Sequence, residues 1–456
     1  MKMRCPLNAR HDTTVQNIKD HMNNNAFRLS SLALAALIAT LAFTTLASAQ
    51  YTETMLLNFT GGSYGGDANA LIRDPSGNFY SSFGDGGVIN KTCEGFACGL
   101  IVKVSPNASG AYVETILHTF AGPDGWDPSG LVQDSHGNLF GSTFAGGTVA
   151  SSCRYGCGVI FELKPLSAGG WAYTILYSFA DAADGLHPVV TLIDSAGNLY
   201  GYANGGPKNE GTIFQLSNSS GTWTKNILYA FAGGTDGILG FPMFLDASGN
   251  LFGIIGQGGN LTSTCFGVGC GYLFELSPTE SGDWTKTILY TFNGSPDGAG
   301  PSSLVPDGAG NFFGLTGAGG TGTNSNCTQL ASTGCGTLFE LSPNGSGGWT
   351  ETVQHSFNYA LDGAGPGGLV IDSAGDLYVD VDEGTPGGLG AVLEFTFGSD
   401  DIWHYTTLHS FAGGNGGSRP YATILDGTGN VYGAVVLGGT KNQGGIFRLS
   451  PPGVAK

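Results

Sequence analysis

The chain has 456 residues, 79 of them glycine, a net charge of −18 and only 11% charged residues. Glycine without a G-X-Y period excludes collagen, and 41% apolar residues argue against global disorder. So acidic a chain repels nucleic acid and anionic membrane surfaces, so neither is expected as a partner.

The first predicted element is a targeting segment. Arg28 precedes an apolar run from Leu29 to Leu46, and Ala47-Ser48-Ala49 follows. Positive flank, apolar stretch and A-x-A site together describe a secretory signal peptide over residues 1–49. Residues 1–21 are long for its leading part, so Met22 competes with Met1 as the start. Cleavage leaves 12 basic and 33 acidic residues, a net charge of −21. With no second long apolar run, the 50–456 product is expected to be secreted (periplasmic, cell-surface or extracellular) and not inserted in a membrane.

Residues 50–456 carry one unit seven times. It begins with an aromatic, seven residues and Phe, as in "WTKNILYAF". An apolar run ending in Asp follows ("VVTLID"), then "GNLYG", then "GTIFQLS". The Phe recurs at 59, 120, 179, 231, 292, 357 and 411, and five of the six tryptophans stand eight residues before it. An aromatic at a repeated strand position fills the space between adjacent sheets. Four short strands per unit predict an all-β, seven-bladed β-propeller forming a single domain over 50–456. The first strand, 51–59, lacks a partner at its own end, and the last unit lacks that strand. Pairing the two closes the ring, whereas a solenoid would leave both edges bare. Such a ring is expected to be a monomer.

Each unit holds a "D-x-x-G-N" element, at Asp74, Asp134, Asp194, Asp246, Asp307, Asp372 and Asp426, with Asp376 replacing Asn in the sixth. Asp can accept backbone N–H groups across a hairpin, and Gly supplies positive φ. Seven copies read as structural turns, not catalysts. A second periodic acid stands in the "D-G" loops, at Asp124, Asp184, Asp236, Asp297 and Asp362. Asp-Gly is a turn dipeptide, but five carboxylates around one mouth are also candidate ligand or cation sites.

Eight cysteines fall as Cys93/Cys98, Cys153/Cys157, Cys265/Cys270 and Cys327/Cys335, each pair inside one long loop before the "F-x-L" strand. An even count in an exported chain reads as disulfides within each loop. Zinc would require pairs from different blades to converge. These loops and the "D-G" loops share one face, where ligand sites on repeat scaffolds usually lie.

The sixth unit breaks the repeat with "LYVDVDEG". Alternation puts Asp380 and Asp382 on one strand face with Glu383 beside them. Such a cluster suits Ca²⁺, or an acid/base pair; otherwise it is a solvated acidic loop. His118, His355 and His409 occupy a position held elsewhere by Tyr or Leu and read as structural substitutes. His136, His187 and His404 show no metal spacing, and "GAGGTG" (317–322) lacks the helix a phosphate loop needs.

The elements "W-x-x-T-x-L-Y-x-F", "D-G-x-x-P", "D-x-x-G-N-L-Y-G" and "G-x-[IL]-F-x-L-S-P", in that order across 50–456, resemble the GloVer tandem-repeat proteins, exported bacterial chains. The resemblance implies a propeller-like exported protein and supplies no catalytic residue. No catalytic residue is assigned and no cofactor is expected beyond Ca²⁺ at the carboxylates. The expected function is a non-catalytic binding or structural module for an extracellular glycan, cell-surface component or protein. The competing reading is an extracellular polysaccharide hydrolase or lyase using carboxylates on the loop face.

Overall fold

The computed structural model describes residues 51–453 except 66–67, 262–264, 323–326 and 328–333. The predicted signal peptide and both candidate start methionines lie outside these residues. The chain folds as seven four-stranded antiparallel sheets in a ring, a seven-bladed β-propeller. Blades one to six span 68–119, 126–178, 186–230, 241–291, 299–356 and 364–410. Blade seven takes three strands from 418–450 and its outer strand from Thr52–Asn58. That strand runs antiparallel to Gly445–Ser450, from Thr52 opposite Ser450 to Asn58 opposite Gly445. The closure expected from the sequence is therefore present.

The core sits between blades, in seven clusters, one at each interface. The repeat Phe is buried in all seven copies. The aromatic that opens each outer strand packs with the preceding blade: Trp171 with blade one, Trp223 with blade two, Trp403 with blade five. Full burial of a large apolar side chain contributes ~1.5–3 kcal/mol and these partly buried rings contribute a share of it, so loss of one loosens an interface rather than one sheet. Cluster members from blades seven and one pack together like the rest, so the join is a full interface.

The second Gly of "GNLYG" has a packing cause. In five blades it lies opposite a third-strand Phe, as Gly141 does with Phe161 and Gly314 with Phe339. A Cβ on Gly314 would stand 2.2 Å from the Phe339 ring. Blades one and six place Ser81 and Val379 at this position, and their partners are the smaller Val102 and Leu393. The "LYV" of the sixth unit is thus half of a volume exchange across two strands.

The "D-x-x-G-N" turns close the inner hairpin on one face. Asp194 accepts the Asn198 amide N–H at 2.8 Å on one oxygen and the Asn198 side chain at 2.8 Å on the other. Gly197 adopts φ 84°, a conformation open to glycine. In the sixth copy Asp376 keeps the backbone bond to Asp372 (3.0 Å) but has no amide to donate to the second oxygen. Tyr378 turns to Glu394 at 2.8 Å.

Candidate functional site

The opposite face carries the "D-G" loops and the cysteine loops. All four cysteine pairs form disulfides within their loops: Cys93–Cys98, Cys153–Cys157, Cys265–Cys270 and Cys327–Cys335. Four disulfides indicate an oxidising extracellular or periplasmic environment. Among the described residues no helix is long and apolar enough to cross a membrane.

The "D-G" carboxylates are engaged internally. Each receives a backbone N–H from the residue after the repeat Phe: Ala121 to Asp124 (2.8 Å), Ala180 to Asp184 (2.9 Å), Ala232 to Asp236 (2.8 Å), Asn293 to Asp297 (2.8 Å) and Asn358 to Asp362 (2.6 Å). Each also meets the side chain two positions before that Phe. Tyr177 donates to Asp184 (3.0 Å) and Tyr229 to Asp236 (2.8 Å). His118 Nε2 lies 3.0 Å from Asp124, and His355 Nε2 lies 2.7 Å from Asp362. These histidines do the work of the tyrosines they replace. His409 has no such Asp in its loop, and Glu53 of blade seven takes that place at 3.3 Å.

Side chains of the next blade also reach these loops. Lys225 of blade three bonds Asp184, and Lys286 of blade four bonds Asp236. Tyr173 of blade two donates to the carbonyl of Asp124. Burial lowers the Lys225 pKa, with Asp184 opposing it. The equivalent residue of blade five is Glu351, beside Asp297 and Tyr290.

The acidic trio of blade six does not converge as a ligand cage. Asp380 is buried and accepts from the Gly368 N–H and the Thr423 hydroxyl, both at 2.7 Å, joining blades six and seven. Burial pushes its pKa up, against these hydrogen bonds. Ser142 makes the same kind of link between blades two and three, accepting from the Val190 N–H at 3.1 Å. Asp382 holds Arg419 bidentately at 2.8 and 2.9 Å, and Glu383 is exposed. An arginine seated on Asp382 supplies the positive charge that a cation would bring, so these residues fit Ca²⁺ poorly. Among the described residues no three His, Cys, Asp or Glu side chains are placed to hold a metal.

Arg419 belongs to a ring at the inner edge of this face. The second residue of the inner strand adopts left-handed φ at Asp127 (54°), His187 (51°), Gly300 (61°), Gly365 (62°) and Arg419 (56°), while Leu239 (51°) takes the same conformation just before its strand. Asn69 donates to Asp127 at 3.1 Å, and the His187 ring stacks on Phe144 at 3.6 Å. Burial lowers the His187 pKa. Non-glycine residues held in this strained region occur at functional sites. His136 is exposed beside its own turn Asp134, and His404 pairs with Asp400 at 3.0 Å.

Sequence reasoning missed the side chains inside the disulfide rings. "CEGFAC" holds Phe96, "CRYGC" holds Tyr155 and "CFGVGC" holds Phe266. Phe96 and Phe266 are 67% and 66% exposed. The signal was available: an aromatic between each of three cysteine pairs. A groove of about 870 Å³ also lies on the other face, lined by Arg73, Lys103, Gln133 and Trp171. Its carboxylates, Asp74 and Asp134, are bound by their own turn amides.

The family model of the Gloeobacter/Verrucomicrobia repeat matches residues 40–266. No curated protein matches the sequence. Among solved structures, a polysaccharide lyase described as PL25 ulvan lyase is similar at 10% identity, with 89% of this chain and 96% of that one covered and a TM-score of 0.48. A Lactobacillus plantarum protein is 14% identical over 74% of this chain and 85% of its own, with a TM-score of 0.47. A Trichoderma reesei carbohydrate-active enzyme of family AA12 is 11% identical over 89% and 97%, with a TM-score of 0.40. None of these likenesses assigns an activity.

Proposed function

This chain belongs to the Gloeobacter/Verrucomicrobia repeat family, and on that footing we propose that it is an exported propeller that binds an extracellular or cell-surface glycan without turning it over. The observation that carries this reading is the state of the loop face. Its periodic carboxylates are occupied by backbone amides, tyrosines, histidines and lysines of the protein itself. Meanwhile aromatic and aliphatic side chains stand exposed in loops stiffened by disulfides. A general acid needs a carboxyl that reaches substrate, and Asp380, with the strongest burial of the blade-six acids, is closed off by Thr423 and Gly368. Rigid aromatic platforms with fixed polar neighbours suit recognition instead.

The test is a broad glycan array probed with the purified protein, followed by mass spectrometry of every bound glycan. Saturable binding with intact glycan is expected. Depolymerisation of a bound glycan, abolished by Asp382→Asn in a folded variant, would turn the reading to the hydrolase or lyase class. A comprehensive array without binding would remove it.

A further inference from the structure

The cysteine loops of blades one and two are joined into one structure. Arg154, inside the Cys153–Cys157 ring, donates to Glu94, inside the Cys93–Cys98 ring, at 2.7 Å. The same guanidinium lies 4.4 Å over the Tyr155 ring, whose edge meets Trp126 at 5.8 Å. Tyr155 also shares Glu94 through its hydroxyl. On the other side, Asn90 and Thr92 donate to the Ala121 carbonyl of the intervening "D-G" loop at 3.0 and 2.9 Å. Two disulfides, an ion pair and these bonds tie the two cysteine loops and the "D-G" loop between them together.

Between the walls is a cleft of about 320 Å³, lined by Lys91, Thr92, Val149, Arg154 and Tyr155 over a glycine floor. The floor cannot acquire side chains. Gly146 has φ 95°, and a Cβ there would stand 2.5 Å from the Gly122 carbonyl oxygen. The volume lies at the lower end of the range of small-molecule sites.

Resting on the glycan reading above, we propose that this cleft is the sugar-binding site and that it takes an uncharged saccharide unit of a longer chain. The Tyr155 ring, with Arg154 over one face, offers its remaining apolar surface to the C–H side of a pyranose ring, and the guanidinium and hydroxyl offer hydrogen bonds to the sugar's rim. The guanidinium is already paired with Glu94, so it asks for no anion, and Lys91, the other cation of the lining, is exposed to solvent. The protein's net charge of −18 repels polyanionic polymers at longer range. Phe96, exposed on the same disulfide ring as Glu94, gives the joined loops a second aromatic surface for a neighbouring sugar.

Isothermal titration calorimetry with the purified protein tests this. The probes are hexamers of β-1,4-linked glucose, xylose and N-acetylglucosamine, with polygalacturonate as the anionic control. At least one neutral hexamer is expected to bind saturably and more tightly than polygalacturonate. Tyr155→Ala should weaken it tenfold or more and Phe96→Ala several-fold, Tyr155→Phe should cost less than Tyr155→Ala because the ring remains, and Ile402→Ala, exposed on the turn between the last two strands of blade six, should stay within twofold. Thermal melts identify variants that fail to fold, and Tyr155→Phe retains the ring in any case. If Tyr155→Ala and Arg154→Ala bind like the parent, the site is wrong and the glycan reading stands. Tighter polygalacturonate overturns the uncharged class. A protein in which no hexamer binds but the array does overturns the proposal alone, whereas an empty array removes both.

Discussion

The "D-G" loops after blades two and three differ from the loop after blade four in the side chain that reaches them from the next blade. The first two meet a lysine from the next blade, Lys225 on Asp184 and Lys286 on Asp236. The third meets Glu351, which faces Asp297 across the Tyr290 hydroxyl. In all three the Asp takes the backbone N–H of the residue after the repeat Phe and meets a tyrosine. Burial, reinforced by the charge of Asp297, pushes the Glu351 carboxyl up to about 7. Burial also raises Asp297. The fold therefore tolerates either sign at this position, but by different means: a lysine forms an ion pair with the Asp, whereas the acid pair relies on a proton. One architecture contains both ion-paired and proton-dependent blade contacts.

The largest effect is expected from removing a cation. Lys286→Met leaves Asp236 part-buried without its charge partner and should cost about 2–4 kcal/mol of stability in urea denaturation. A loss below about 0.5 kcal/mol would mean that the pair contributes nothing net.

Glu351→Lys converts the odd loop into the common form. Glu351 has its folded pKa above its ordinary 4.5, so its stabilising contribution is complete below 4.5 and is lost as pH rises through about 7. The parent should thus lose stability from pH 5 to 8. The variant should lose less and gain roughly 1–2 kcal/mol at pH 8, discounting for the partial exposure of the site. Parallel stability–pH curves for the two proteins would contradict the proton-dependent contact.

Glu114 in blade one holds the same strand position, the loop before its blade lacks the Asp-Gly dipeptide, and burial alone pushes Glu114 up to about 7. Its contribution is likewise lost as pH climbs through that value. Glu114→Gln should flatten part of the same slope, with roughly 1 kcal/mol gained at pH 8.

The smallest effect belongs to a carboxylate satisfied by neutral donors. Burial would raise the Asp426 pKa, but hydrogen bonds from Asn430, Thr428 and Tyr432 outweigh it and hold it at about 2. Its contribution is present above the ordinary 3.8 and fades as pH falls through about 2. Asp426→Asn should lower stability by about 0.5–1 kcal/mol at neutral pH, with no change in slope between 5 and 8. A changed slope there would blur the distinction between the three ways of satisfying an acid.

Repetition made the fold legible. Seven Phe, seven turn Asp and four local cysteine pairs each recur at fixed places, and local geometry fixes what each does. The strand missing from the last unit was also countable, which predicted that 51–59 completes it; the register, Thr52 opposite Ser450, came from the structure. The blade-six acids were harder to place. Alternation puts Asp380 and Asp382 on one face, but it cannot reveal Thr423 and Arg419, which arrive from the next blade and decide depth and charge. The same limit hid Lys225 and Lys286, which reach loops 41 and 50 residues back in the chain. Cross-blade pairing has no short-range signal. The histidine substitutions were recognised by position, while the Asp partners that give them a role emerged only in three dimensions.

The seventh blade, built from both ends of the chain, imposes an order in time. Six blades can assemble as their strands emerge, each from neighbouring sequence. The seventh waits until Gly445–Ser450 exists, with Thr52–Asn58 unmated throughout. Loop-closure entropy grows only by about 0.6 kcal/mol per doubling of length, so distance in sequence is a minor obstacle. The waiting itself is the hazard, because an unmated edge strand can join another chain. Nascent copies kept apart until the last strand arrives should therefore reach the closed monomer in higher yield than concentrated ones.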